Sequence, residues 1–319
     1  MIVFIDGREG TTGLRIEQRL AARQDIRLLT LSESQRKNPA ARAEALAAAD
    51  VAFLCLPDAA AREAVSLLGD GRAVLIDASA AHRTAPGWAY GFPELGPAFR
   101  EAIRRGTRVA VPGCHASGFL ALTAPLRRAG LLPRDALLHC FSLTGYTGGG
   151  KSMIAAYESG GRVGQDPLAA PRQYALGQSH KHLPEMRTVA NLAAAPLFCP
   201  VVADFDCGME VTVPLHRAQL SGSPAAASSR RDPKAALLDC YRAAYRDEPL
   251  ILVGAPDEDG FLSAGALRGR DSMELTVEGS SDRLLLIARF DNLGKGASGA
   301  AVQCLNLVLG APETEGLCP

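Results

Sequence analysis

The sequence predicts an α/β chain in two parts: a Rossmann-like parallel-sheet domain, then an α+β domain with a mixed, largely antiparallel sheet. Three observations predict it. Ile2-Val3-Phe4-Ile5-Asp6 is a short apolar run that passes straight into Gly7-Arg8-Glu9-Gly10-Thr11-Thr12-Gly13, and residues 14–20 follow with helical spacing of their apolar positions. Further apolar runs at 50–57 and 73–77 flank a helical stretch over 58–68, the alternation that builds a parallel sheet. Beyond residue 137 the texture changes to strands, with alternating or apolar runs over 137–144, 204–215, 272–277 and 283–290.

The first strand, turn and helix form the context that a dinucleotide fingerprint needs. Glycines let the backbone approach a pyrophosphate, and the helix N-terminus faces its charge. Gly7, Gly10, Thr11, Thr12 and Gly13 are therefore candidate cofactor contacts, although the spacing is G-x-x-G-x-x-G and an ordinary tight turn would look similar. The next strand covers residues 26–31. Ser32-Glu33-Ser34-Gln35-Arg36-Lys37 follows it, where a cofactor without a 2′-phosphate would meet an isolated acid. Two hydroxyls and two cations surround that acid, so Ser32, Ser34, Arg36 and Lys37 are expected to favour NADPH.

Ligands of open α/β sheets sit at the carboxyl ends of the strands. The turns that carry Pro57 and Ser79 lie there, and Arg83 is placed to clamp a phosphate or carboxylate. Val109-Ala110-Val111 is the last strand of the series, and it delivers Pro112-Gly113-Cys114-His115-Ala116-Ser117-Gly118 to the same rim. A cysteine after a Pro-Gly turn and before an apolar run stands at the start of a helix. Backbone N–H groups and the helix dipole there favour thiolate, the nucleophilic form.

Composition narrows the function classes. The 319 residues suffice for two domains, and 34 basic residues balance 34 acidic ones without a basic run, which excludes nucleic acid and membrane surfaces as expected partners. No apolar stretch approaches a membrane span, and a strand beginning at Ile2 leaves no room for an export leader. Eight cysteines without a C-x-x-C pair indicate neither a zinc site nor a disulfide framework, so a cytoplasmic protein is expected.

In the second half, Gly145-Tyr146-Thr147-Gly148-Gly149-Gly150-Lys151-Ser152 satisfies the spacing of a nucleotide P-loop. It follows a dinucleotide fold and no acidic magnesium-binding strand is evident, so an ATPase is not expected. His180-Lys181-His182-Leu183-Pro184-Glu185 places two histidines at i, i+2, on one face if the segment is extended. H-x-H could begin a metal site, but no third or fourth ligand stands nearby in sequence and none is expected. Residues 221–231 are small and polar, hence an exposed loop, and residues 297–309 predict a long amphipathic helix.

These pieces together resemble the short-chain N-acetyl-γ-glutamyl-phosphate reductase family. The likeness rests on residues 7–13, Pro112-Gly113-Cys114, Gly148-Gly149-Gly150-Lys151, His180-Lys181-His182-Leu183-Pro184-Glu185 and Asn292-Leu293-Gly294-Lys295-Gly296, in order along the chain. The cysteine and Asn292 blocks are shared with the wider aspartate-semialdehyde dehydrogenase group, whereas H-x-H-x-P-E is the more specific. The resemblance implies a dinucleotide-binding domain over 1–113 and 297–319 and an inserted catalytic and oligomerisation domain over 114–296. It implies NADPH/NADP+, with Gly148, Gly149, Lys151 and Asn292 among its contacts. Cys114 would attack an acyl phosphate and release inorganic phosphate, and a histidine, His180 before His182, would move protons. Arg83, His115 and Glu185 would meet the substrate, and Glu185 could also partner His182. A homodimer or homotetramer is expected. The alternatives are an aspartate-semialdehyde dehydrogenase, a reductase of a carrier-bound acyl phosphate, and a non-catalytic dinucleotide sensor.

Overall fold

A computed structural model of the protein describes residues 1–159, 166–220, 232–254, 256–257 and 259–319. The chain divides into two compact units, Met1–Gly113 with Ala297–Cys318, and Cys114–Gly296 with Pro319.

The first unit is built on strands β1 (Ile2–Asp6), β2 (Arg27–Leu29), β3 (Val51–Leu54), β4 (Val74–Asp77), β5 (Ala89–Tyr90) and β6 (Arg108–Ala110). Their order is β2-β1-β3-β4-β6-β5, and every pair is parallel. Helices α1 (Thr11–Leu20), α2 (Pro39–Ala48), α3 (Asp58–Leu68) and α4 (Pro97–Arg105) connect them. Alternate residues of each strand feed opposite cores, because side chains of a strand point to opposite faces. Val3, Ile5, Val51 and Phe53 pack on one side with Ile16 and Leu20 of α1, whereas Phe4, Ala52 and Leu54 pack on the other with Leu46 of α2 and Ala64 of α3.

The sequence reading misses α2, α4 and β5, and it starts α1 late. Helix α2 carries a signal: Asn38 accepts hydrogen bonds from the N–H groups of Ala40 and Ala41, and Pro39 occupies the first turn, where its missing N–H costs nothing. Because α1 begins at Thr11 and not at Leu14, Thr11, Thr12 and Gly13 form its first turn.

The second unit opens with α5 (Cys114–Arg128). It contains a seven-stranded sheet of β7 (His139–Gly145), β8 (Arg172–Gln173), β9 (Leu197–Ala203), β10 (Met209–His216), β11 (Ile251–Val253), β12 (Met273–Gly279) and β13 (Arg283–Phe290). The order is β11-β12-β13-β10-β7-β9-β8, with β7·β9 and β11·β12 parallel and the other pairs antiparallel. Helices α6 (Gly150–Glu158), α7 (Leu183–Val189) and α8 (Pro233–Ala244) complete it. Helix α5 is buried from His115 to Leu126 despite an internal proline. Pro125 has no N–H for the carbonyl of Ala121, and the hydroxyl of Tyr245 donates to that carbonyl instead, at 2.7 Å.

Two expectations change here, and a third lies outside the described residues. Residues 204–215 are not one strand: β9 ends at Ala203 and β10 begins at Met209. Between them Gly208 has φ +125°, and a Cβ there would lie 2.3 Å from the carbonyl oxygen of Ala264, so the backbone turns where a side chain could not follow. The loop read over 221–231 lies outside the described residues. The last helix, α9 (Gly299–Leu309), follows a π-helical turn over Gly294–Ser298 and is buried from Gly299 to Leu307, so it is a core helix and not an amphipathic one. Among the described residues, no helix is long and apolar enough to cross a membrane.

Candidate active site

In the first unit, the turn after β1 has the shape an anion requires. Gly7 has φ +85°, and a Cβ on it would meet the carbonyl oxygen of Cys55 at 2.3 Å, so only glycine fits. Gly10 caps α1 without any side-chain hydrogen bond, which leaves first-turn N–H groups to a ligand. The Oγ1 of Thr11 is buried and has no hydrogen-bond partner in the protein. An orphaned hydroxyl beside uncapped N–H groups fits a pyrophosphate oxygen.

The loop after β2 is exposed and internally bonded. Ser32 Oγ lies 3.1 Å from both Ser34 Oγ and Gln35 Oε1, and Arg36 pairs with Glu33 at 3.2 Å. Lys37 is exposed, and Pro57 is the N-cap of α3. At the end of β4, the fully buried Asp77 accepts from the N–H and hydroxyl of Ser79 and contacts His82 Nδ1 at 2.6 Å. His82 in turn stacks on Trp88, with ring centroids 4.1 Å apart. These contacts fix the loop carrying Ser79 and Arg83. Arg83 donates from Nε to the carbonyl of Val111 and from Nη2 to that of Ala78.

In the second unit, Cys114 is the first residue of α5 and is half-buried. Its Sγ and ring nitrogens of His115 and His182 all lie within 4.8 Å of one another. His115 is held between two hydroxyls: Nδ1 is 2.7 Å from Ser142 Oγ, and Nε2 is 2.7 Å from Tyr174 OH. A neutral imidazole has one N–H and one lone pair, so one hydroxyl donates to the ring and the other accepts from it. Burial, reinforced by the electrostatic influence of His180 and Lys181, pulls the His115 pKa down to about 3. Burial, together with the nearby Cys114, pushes the Tyr174 phenol up.

The rings of His115, His180, His182 and Phe198 form one cluster, in which His180 and His182 meet edge to face at 4.6 Å. The expected extended H-x-H segment is instead a turn. His182 is the N-cap of α7 with helical φ and ψ, and the Leu183 N–H donates to the carbonyl of His180. The two rings converge because the backbone N–H of His182 donates to His180 Nδ1 at 3.2 Å. That bond leaves the proton of neutral His180 on Nε2. His182 and Glu185 are buried, whereas His180 is half-buried.

The remaining candidates are dispersed. Gly148 and Gly149 lie in the short 3₁₀ turn Tyr146–Gly149, and Lys151 is exposed on α6. Asn292 is an internal brace: its Oδ1 accepts from the Gly208 N–H and its Nδ2 donates to Thr147 Oγ1. The sequence reading assigns no role to Ser142, Tyr174 or Phe198. Ser142 alone carried a signal, as a hydroxyl on the buried face of β7 between Cys140 and Thr144. The fold brings Cys114 and His115 to His182, one histidine of the H-x-H pair. Burial pushes the thiols of Cys55, Cys140 and Cys240 upward, away from thiolate.

Comparison with known proteins gives first the class. Residues 3–104 match the family model described as semialdehyde dehydrogenase, NAD binding domain, and residues 114–292 match semialdehyde dehydrogenase, dimerisation domain. Solved aspartate-semialdehyde dehydrogenases share the fold: the enzyme from Vibrio cholerae aligns with a TM-score of 0.70 at 14% identity over 97% of this chain and 98% of that one, and the one from Francisella tularensis at 0.70 and 12% over 97% and 100%. Sequence relatives are much closer. N-acetyl-gamma-glutamyl-phosphate reductase 2 of Pseudomonas putida is 44% identical over 99% of both chains, and the reductase of Brucella canis is 46% identical over 97% of this chain and 98% of its own. The chain belongs to the N-acetyl-gamma-glutamyl-phosphate reductase family.

Proposed function

We propose that the chain reduces N-acetyl-γ-glutamyl phosphate to N-acetyl-glutamate semialdehyde with NADPH, releasing inorganic phosphate, as a step of arginine biosynthesis. The observation that carries the reading is Cys114 as the first residue of α5, within 4.8 Å of two imidazoles, in a chain of this family. The helix N-terminus favours the thiolate of Cys114. Its sulfur attacks the acyl carbon, the C–O bond to phosphate breaks, and a thioester remains on Cys114. When bound, the nicotinamide supplies the hydride that reduces this thioester to a thiohemiacetal. His180, with its proton on Nε2, shares that proton with the substrate oxygen as charge develops there. The proton returns to Nε2 as the carbonyl of the aldehyde forms and the C–S bond breaks, restoring the Cys114 thiolate. His182 holds the His180 ring through its backbone N–H.

Met1–Gly113 with Ala297–Cys318 is assigned to cofactor binding, and Cys114–Gly296 to catalysis and self-association. Gly7, Gly10, Thr11, Thr12 and Gly13 would cradle the pyrophosphate, with Ser79 and the turn at Pro57 at the same strand ends. Ser32, Ser34, Arg36 and Lys37 would meet the 2′-phosphate. Gly148, Gly149, Lys151 and Asn292 are proposed as further cofactor contacts. Arg83 would take the substrate's anionic groups, while His115 and Glu185 shape the pocket beside Cys114. The eight scattered cysteines, without a C-x-x-C pair, support a cytoplasmic setting.

A homodimer through the open face of the second sheet is the favoured assembly. Phe141, Leu197 and Leu285 stand on that face by strand register and are 43%, 55% and 40% exposed. Phe141→Asp should turn a dimer into a monomer by light scattering. The reaction is tested by Cys114→Ser, which should abolish turnover of the acyl phosphate while leaving NADPH binding nearly unchanged. Substantial turnover in that variant would refute the nucleophile.

A further inference from the structure

We propose that Cys114, His115 and His182 form a capture site for a thiophilic divalent cation, and that Zn²⁺ bound there reversibly silences the enzyme. The inference rests on Cys114 as the nucleophile, because the ion would act by occupying its sulfur. The donor set is one thiol and two imidazoles, which zinc prefers and magnesium or calcium do not. The Sγ and the two ring nitrogens already lie within 4.8 Å of one another. Ligands about 2.0–2.3 Å from a tetrahedral zinc stand about 3.5 Å apart. Closing the site therefore requires side-chain tips to move inward by roughly one ångström, without any change of fold.

The three residues are held by rigid parts of the unit. Cys114 and His115 are consecutive in the first turn of α5, and His182 is the N-cap of α7. His115 exchanges one of its two hydroxyl contacts, Ser142 or Tyr174, for the metal. Those hydroxyls are the outer partners that keep the ring oriented. Because Cys114 is half-buried, water can supply the fourth ligand. Binding holds Cys114 as a zinc-bound thiolate, any remaining thiol proton passing to solvent, with no change of oxidation state. The ion thus competes with substrate for one sulfur.

The test uses the full chain and Zn²⁺ alone. Titration calorimetry should find one ion per chain, and saturating Zn²⁺ should protect Cys114 from iodoacetamide and stop turnover, with EDTA restoring both. Affinity should fall at least about tenfold in His182→Asn and in Cys114→Ser, each checked for folding by circular dichroism. With Co²⁺ as a spectroscopic probe, a thiolate charge-transfer band should appear in the wild type and vanish in Cys114→Ser. Unchanged alkylation of Cys114 under Zn²⁺, or affinity unchanged in both variants, would overturn the site. Failure of the nucleophile reading looks different: alkylated enzyme would still turn over, while Zn²⁺ would still bind at these residues.

Discussion

The hydroxyl of Tyr174 lies 2.7 Å from Nε2 of His115, a ring whose other nitrogen is 2.7 Å from Ser142. The histidine beside the Cys114 thiol is thus fixed as a neutral wall. Burial, then His180 and Lys181, lowers its pKa from 6.5 to about 3. The unfolded chain takes up this proton near pH 6.5, and the folded one does not until about pH 3. The stabilising effect is therefore full above pH 6.5 and is lost as pH falls toward 3, with a slope of up to about 1.4 kcal/mol per pH unit. Urea unfolding between pH 7 and 5 should show this loss in the wild type and a flatter profile in His115→Gln. An equally steep profile in the variant would assign the acid sensitivity to another group.

The two other histidines of the cluster, His180 and His182, should separate kinetically. His180 is half-buried with its Nδ1 occupied, and His182 is buried at a helix cap. His180→Asn should lower kcat by about two to four orders of magnitude and flatten its pH profile. His182→Asn should act more on KM. The reverse pattern would make His182 the proton carrier.

Thr11→Val isolates the cofactor cradle from stability. The Thr11 Oγ1 is buried without a protein partner, so its removal should leave the Tm of the cofactor-free enzyme unchanged. A hydrogen bond to a charged group contributes about 1.5–3 kcal/mol, so NADPH affinity should fall roughly tenfold or more. Fluorescence titration with NADPH measures it, and an unchanged Kd would place the pyrophosphate elsewhere.

Cofactor choice should follow Arg36. Arg36 pairs with Glu33, which is 89% exposed, and such surface pairs are weak enough to yield to a phosphate. Arg36→Ala should reduce kcat/KM with NADPH about tenfold and leave NADH nearly unaffected. Equal losses with both cofactors would remove Arg36 from 2′-phosphate recognition.

Local patterns made much of this legible. The β1 turn, the α3 span and the cysteine at the start of α5 each sit within one short stretch of sequence, where strand period, glycine and helix start signals coincide. The site around Cys114 is different in kind. Ser142, Tyr174 and Phe198 reach His115 from β7, the loop after β8 and β9, across sequence separations that no local pattern encodes. The histidine turn misleads for a related reason. Spacing of i, i+2 implies one face only in an extended chain, and Pro184 behind His182 begins a helix instead. The amphipathic reading of α9 fails because burial on every side is set by the elements around a helix and not by its own sequence.

That last helix has a consequence for how the protein is made. Val302, Cys304 and Leu305 share a core with Val3, Ile5 and Phe53, although the whole of Cys114–Gly296 is translated in between. The first unit cannot close its core until its last helix has been made, after the whole of Cys114–Gly296. The amino-terminal strands therefore wait, unsealed, while the second unit is translated, and a stop codon ahead of residue 299 would cripple the half of the molecule translated first.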